Sequence, residues 1–167
     1  IKKYQLKKMN SSQSLVSVIT PTKNREHFFP LLKGCFLSQT YKNIEWLIYD
    51  DSQKKSEFFE DEIENNIFYF YSEKNLSIGE KRNWLIEHAK GDVIVHFDDD
   101  DYYSPIYIQT LLERLFDKGA SFLNLRGFFL YHSTTNRYGY WDITKQDGLH
   151  YLFGPGEKGL VKFSKKN

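Results

Sequence analysis

Four short apolar runs punctuate the first two thirds of the chain: Leu15 to Thr20, Ile44 to Asp50, Ile67 to Tyr71 and Val93 to Phe97. Each is short and rich in β-branched or aromatic side chains, which predicts strands buried on both faces. Between them the period changes. Phe28, Leu31, Leu32, Cys35 and Phe36 recur at helical spacing, and Pro30 is tolerable there because it falls in the first turn. That stripe makes Cys35 a core residue. Trp84, Leu85 and His88 mark a second helix, and Ile108, Leu111, Leu112, Leu115 and Phe116 a third, with Ser104 as its N-cap and Pro105 at its first position. Strands alternating with helices imply right-handed crossovers and a mostly parallel sheet covered on both faces. Such sheets bind ligands beyond the carboxyl ends of their strands.

After Ala120 the pattern changes. Ser121 to Leu125, Phe128 to His132 and Tyr138 to Trp141 predict antiparallel strands, and Gly154-Pro155-Gly156-Glu157 predicts a turn feeding one more strand, Leu160 to Phe163. The expected fold class is therefore α/β, a mostly parallel central sheet flanked by helices with a smaller antiparallel portion. A chain of 167 residues accommodates one such domain over 15–167, with halves 15–116 and 120–167, behind a basic tail at 1–14. The tail lysines Lys2, Lys3, Lys7 and Lys8 could touch an anionic membrane surface, but a solvated tail is the favoured reading. No apolar run approaches the ~18 residues needed to span a bilayer, so no transmembrane segment is predicted.

Composition narrows the function. With 23 Lys and Arg against 22 Asp and Glu the net charge is +1, so no global field steers the chain onto nucleic acid. A single cysteine excludes an intramolecular disulfide and a cysteine-based zinc cage, and fits a reducing, cytoplasmic location. Recognition must come from local clusters.

The strongest cluster is Asp98, Asp99, Asp100 and Asp101, directly after the Val93 to Phe97 strand. Four adjacent carboxylates repel one another, and their oxygens would suit a hard divalent ion, Mg²⁺ or Mn²⁺. The bland alternative is an acidic turn before the next helix. A second pair, Asp50-Asp51-Ser52, ends the Ile44 strand in the same way, with an Asx-turn or helix cap as its alternative. Lys81 and Arg82 enter the second helix within Asn75 to Asn83, where cations oppose the macrodipole and a diphosphate would give them a purpose. The polar loop Thr20-Pro21-Thr22-Lys23-Asn24-Arg25 completes one rim.

The order and wording of these segments resemble the family 2 glycosyltransferases, whose fold is the GT-A type. Val16 to Arg25 resembles the family's opening strand and loop, and Ser38-Gln39-Thr40-Tyr41 with Ile44 to Ser52 its second unit. Asn75 to Asn83 resembles the stretch ending in Arg-Asn, and Gly91 to Pro105 resembles the strand carrying the DXD motif. The resemblance implies a metal-dependent, inverting transfer of a sugar from a nucleotide-diphosphate donor, UDP favoured, to an acceptor hydroxyl, in glycan or polysaccharide synthesis. It assigns Thr20 and Asp51 to the nucleobase with Asp50 beside them, and Arg82 to the diphosphate. Asp98 and Asp99 would face ribose and metal, and Asp100, with Asp98, would ligate the Mn²⁺ or Mg²⁺. Pro21, Asn24, Arg25, Gly79 and Lys81 complete the expected donor side.

In that family the general base lies late in the chain, beyond a Gly-rich acceptor loop that Gly154-Pro155-Gly156 resembles. The expectation is a domain truncated on its acceptor side with the base beyond Asn167, leaving Asp142, Asp147 and Glu157 as the candidates within the chain. The acceptor, whether glycan, lipid-linked or protein, is not legible. Tyr140, Trp141 and Tyr151 could stack on a sugar, though core aromatics are the favoured reading. Two other readings stand: a nucleotide-sugar-binding module without transfer activity, and a metal-dependent nucleotidyltransferase of similar fold acting on a nucleoside triphosphate.

Overall fold

The computed structural model describes residues 14–59, 66–134 and 136–142, and the backbone alone of 150–154 and 157–161. Its first compact unit, through Ser121, holds the strands β1 (Val16–Thr22), β2 (Ile44–Asp50), β3 (Ile67–Tyr71) and β4 (Val93–His96) in the order β3-β2-β1-β4. All the pairs are parallel. The helices are α1 (Phe29–Leu37), α2 (Ile78–His88) and α3 (Tyr107–Asp117).

The expectation of a parallel sheet covered on both faces is met. Every residue of β1 and β2 is buried. On one face Val16, Val18, Trp46, Ile48 and Ile67 pack with Phe29, Leu32 and Phe36 of α1 and Ile108 and Leu112 of α3. On the other, Ile19, Leu47 and Tyr49 meet Leu85 of α2. Cys35 lies in the first of these clusters, 3% exposed. Burying an aliphatic or Phe side chain this fully contributes about 1.5–3 kcal/mol each. Gly91 is required by packing: a Cβ there would lie 2.6 Å from the Ser17 backbone nitrogen and 2.8 Å from the Leu15 carbonyl oxygen.

Several boundaries differ from the expectations. α1 begins at Phe29, so Phe29 joins the core stripe in place of Phe28, and Leu31 is 47% exposed. β1 runs on to Thr22 through Pro21, which lies past the last β1–β4 pair, Ile19 with His96, where no partner needs its missing N–H. α3 starts at Tyr107 rather than at Pro105, and Ser104 does not cap it through its side chain. The buried Gln39 does: its Oε1 accepts from Ile108 N at 3.1 Å, while its Nε2 donates to Ser104 O at 2.9 Å. A side chain from the end of α1 thus satisfies an orphan donor at the start of α3.

The second unit, from Phe122 onward, is an antiparallel sheet of β5 (Gly127–His132), β6 (Arg137–Asp142), β7 (His150–Gly154) and β8 (Glu157–Val161) in that order. Its antiparallel character matches expectation, but Ser121 to Leu125 is not a strand, and Phe122 within it is 78% exposed. β7 was not predicted. β8 begins at Glu157, paired with Gly154, so it starts earlier than Leu160 to Phe163 suggested; Lys162 and Phe163 lie outside the described residues. A Cβ at Gly127 would stand 2.0 Å from the Tyr140 hydroxyl, so a larger residue there requires the Tyr140 side chain to move. Residues 1–13, with the tail lysines, also lie outside the described residues. Among the described residues, no helix is long and apolar enough to cross a membrane.

Candidate functional site

Parallel strands in near register deliver their carboxyl ends to one edge. Thr22 of β1 lies opposite Asp50 of β2, and β4 ends at His96 beside Ile19. The loops leaving these strands, with the start of α2, form the rim.

The turn after β2 is closed on itself. Asp50 is 1% exposed. Its Oδ1 accepts from Ser52 N at 2.8 Å and from the Ser52 hydroxyl, an Asx-turn. Its Oδ2 accepts from the Tyr69 hydroxyl at 2.6 Å. Burial, reinforced by that bond, pushes the Tyr69 hydroxyl far above its ordinary pKa, so it stays a donor. The Asp51 side chain is fully buried; Oδ1 receives Lys81 Nζ at 2.5 Å and Oδ2 receives Leu76 N at 2.9 Å. Burial alone would raise this carboxyl, but the bonds from Lys81 and Leu76 and the charges of Lys81 and Lys23 outweigh it and hold Asp51 below the usual range. Lys81 also donates to Thr22 O at 2.8 Å, tying β1, β2 and α2 together.

Asn24 joins the two loops. It sits at φ 55°, which asparagine tolerates better than most residues. Its N–H donates to Ser52 Oγ at 2.6 Å and its Oδ1 accepts from Gln53 N at 3.1 Å. Lys23 Nζ donates to Asn75 Oδ1 at 2.6 Å, linking the first loop to the segment before α2.

The turn after β4 has a different character. Asp98 N donates to the Tyr103 hydroxyl at 2.6 Å, and the Tyr103 ring stacks on Phe97 at 3.8 Å, so the acidic run returns on an aromatic base. Asp99 is the anchored member: Oδ2 accepts from Thr22 Oγ1 at 2.7 Å and Oδ1 from Arg25 Nη1 at 2.9 Å. The same Arg25 nitrogen reaches Asp100 Oδ2 at 2.6 Å. Arg82 Nη2 reaches Asp98 Oδ1 at 2.8 Å. The side chains of Asp98 and Asp100 are 47% and 45% exposed, against 8% for Asp99. Two guanidiniums facing four carboxylates leave the turn negative. Asp101 registers this: burial and then the charges of Asp100 and Asp98 raise its pKa.

α2 is launched by a capping box. Ser77 Oγ accepts from Glu80 N at 3.3 Å, and Glu80 Oε2 accepts from Ser77 N at 2.8 Å. The Ser77-Ile78-Gly79-Glu80 spacing carried that signal in the sequence. With the helix starting at Ile78, Lys81 and Arg82 are its fourth and fifth residues, and Asp51 and Asp98 respectively account for their placement. Arg82 Nε is buried without a hydrogen-bond partner among the described residues.

The rim thus brings together Asn24, Arg25, Asp50, Asp51, Lys81, Arg82, Asp98, Asp99 and Asp100. Thr20 and Pro21 lie beneath it. Thr20 is 0% exposed, its hydroxyl donating to Phe97 O at 2.8 Å and accepting from Trp46 Nε1 at 2.9 Å. The β1 hydroxyl at the rim is Thr22, which follows from strand alternation two residues on. Gly79 has open space where a Cβ would stand. Asp142 ends β6 in the second unit, Glu157 opens β8 where the backbone alone is described, and Asp147 lies outside the described residues. Tyr140 is 37% exposed on β6, Trp141 beside it is half-buried, and Tyr151 is known by its backbone in β7.

Among the described residues no three acidic, histidine or cysteine side chains converge as a ready-made metal cage. The oxygen donors of Asp98 and Asp100 still fit a hard cation of the kind held by one or two carboxylates and completed by a ligand's phosphate oxygens.

Comparison with known proteins points the same way as this rim. An uncharacterized glycosyltransferase of Rickettsia typhi is 34% identical over 115 residues, covering 66% of this chain and 36% of the relative. Another, from Rickettsia bellii, is 31% identical over 166 residues, covering 92% of this chain and 23% of the relative. The chain therefore spans about a quarter to a third of these relatives. Staphylococcus aureus TarS shares the fold, with a TM-score of 0.57 at 24% identity over 63% of this chain and 20% of its own. A TarS 1–349 structure in complex with UDP-GlcNAc gives 0.56 at 24% identity, over 62% of this chain and 31% of its own. The profile described as glycosyl transferase family 2 matches residues 17–156, and the chain belongs to that family.

Proposed function

We propose that this chain forms the donor-binding part of a divalent-cation-dependent, inverting glycosyltransferase that takes its sugar from a nucleoside diphosphate, UDP before GDP. The observation that carries this is the run Asp98 to Asp100, half-open at the carboxyl end of β4 with Arg25 and Arg82 against it. A diphosphate cannot approach that run without positive charge between them. Asp98 and Asp100 would hold the cation, Mn²⁺ or Mg²⁺, which when bound supplies Lewis-acid stabilisation of the departing diphosphate.

The chain's own residues do the rest of the donor chemistry. Arg82, fixed on α2, balances negative charge on the leaving group as the glycosidic C–O bond breaks. Asp99, anchored by Thr22, keeps the acidic turn in one geometry. Asp50, Asp51 and Thr20 act beneath the nucleoside by holding the loops that contact it, with Asn24 clamping two of them. The acceptor hydroxyl attacks the anomeric carbon from the face opposite the diphosphate and loses its proton to a carboxylate base, which inverts the centre with no covalent sugar–enzyme intermediate. UDP is favoured because TarS, of similar fold, is known with UDP-GlcNAc. A cytoplasmic donor pool suits this reading.

Calorimetry tests it. UDP should bind with Mn²⁺ and lose that affinity when a chelator replaces the metal. Equal affinity in both conditions overturns the cation reading, and tighter binding of GDP overturns the choice of base.

A further inference from the structure

Arg25 is bound to Asp100, one of the two carboxylates proposed to hold the cation, and to its neighbour Asp99. One nitrogen, Nη1, makes both contacts, at 2.9 Å to Asp99 Oδ1 and 2.6 Å to Asp100 Oδ2. It sits between two carboxylates as a single point of charge, which is how a metal ion would sit. A guanidinium binding strongly for its own sake would present two nitrogens to one carboxylate. The Arg25 side chain is 44% exposed and follows Asn24 in an exposed loop, so its release uncovers no core.

The carboxylates do not depend on Arg25 for their positions. Asp99 remains held by Thr22, and the turn itself by Asp98 N on the Tyr103 hydroxyl. Contrast Lys81, 6% exposed and bonded to Asp51 and the Thr22 carbonyl, whose departure would strand a buried charge. Of the three cations paired with rim carboxylates among the described residues, Arg25 has the most exposed side chain, at 44% against 33% for Arg82 and 6% for Lys81.

The geometry points to Arg25 as a displaceable counter-ion: it stands between Asp99 and Asp100, competes with the divalent cation for the Asp100 oxygens, and on release is free to face the donor's diphosphate. The inference rests on the cation reading proposed above and adds a direction to it. Arg25 weakens binding of the bare cation and strengthens binding of the cation with its nucleotide. Binding of metal and donor is thereby coupled, since the cation gains most when a diphosphate is there to receive the displaced guanidinium.

The test is Mn²⁺ affinity of the full chain, by electron paramagnetic resonance of the free ion, in wild type, Arg25→Gln, Arg25→Lys and Asp100→Asn, with and without UDP. Without nucleotide, Arg25→Gln should bind Mn²⁺ on the order of five-fold more tightly than wild type, the factor carried in water by one pair of unit charges at about 4 Å, the Arg25–Asp100 contact that the ion must break. With UDP present that advantage should shrink or reverse. Arg25→Lys should stay near wild type, which separates charge from packing. Equal or weaker Mn²⁺ binding by Arg25→Gln overturns the inference while leaving the cation reading intact, provided Asp100→Asn loses the ion. No Mn²⁺ uptake by wild type or either Arg25 variant, with or without UDP, overturns both. Should Arg25→Gln fail to fold, the wild-type protein still decides: Mg²⁺ should move the Arg25 side-chain resonance in ¹⁵N NMR, and an unmoved signal at saturating Mg²⁺ overturns the displacement.

Discussion

Two acidic turns lie on one rim and read almost alike in sequence, yet the fold treats them in opposite ways. Asp50-Asp51 follows β2 and Asp98 to Asp101 follows β4, both strands being parallel neighbours of β1. At the first turn the carboxylates are enclosed, with Ser52, Tyr69, Leu76 and Lys81 bonded to their oxygens. At the second, Asp98 and Asp100 are nearly half exposed and face arginines that stand at the edge. The nature of the cation explains the contrast. A lysine buried against a buried carboxylate is part of the fold, because either charge left alone would be stranded away from water. An arginine at an exposed carboxylate contributes little to stability and can be exchanged for another cation.

The contrast can be broken most decisively at Lys81. Lys81→Met leaves Asp51 buried without its ammonium and should cost about 3–5 kcal/mol of stability, measured by urea unfolding. A loss below about 1 kcal/mol would mean the first turn is as exchangeable as the second. Next comes Thr20→Val, which strips Trp46 Nε1 of its acceptor beneath the rim and should cost about 1–3 kcal/mol. Thr22→Val, two residues on, frees Asp99 instead, so its larger effect should appear in Mn²⁺-dependent UDP affinity.

At the exposed turn the effect moves from stability to binding. Asp100→Asn should shift stability by no more than about 0.5 kcal/mol in either direction, since charge repulsion eases as the Arg25 contact weakens, while Mn²⁺-dependent UDP binding is lost. A marked destabilisation with UDP binding intact would make Asp100 a structural residue like Asp51.

The smallest effect is in acid. Asp51 is held below the usual carboxylate range, so the folded state binds its proton less readily than the unfolded chain does. The stabilisation is therefore fully present above the ordinary aspartate pKa and is lost as pH falls below it. Thermal melting from pH 6 down to pH 3 should show a shallower loss for Asp51→Asn than for wild type. Parallel curves would show that Lys81 contributes no pH-dependent stability through Asp51.

Much of this was legible in the chain because its signals are local. Short strands rich in β-branched and aromatic residues and the Ile108–Leu112 stripe need no knowledge of partners to be read. The second unit was harder: β7 and β8 are short and defined by pairing, so the sequence reads Ser121 to Leu125 as a strand, misses β7 and starts β8 late. The start of α3 was misread for a related reason. Ser104-Pro105 has the local form of a helix start, but Gln39, 69 residues from Ile108, supplies the cap.

The sequence by itself determined the parallel sheet, its two covered faces and the delivery of two acidic turns to one edge, because strand burial and helix periodicity are properties of neighbouring residues. Which turn is structural and which is open was decided by tertiary contact. Asp51 meets Lys81 across 30 residues and Asp99 meets Arg25 across 74. The outcome depends on how much water reaches each pair, and adjacent aspartates in a sequence carry no record of their solvent exposure or of the charge that folding will set against them.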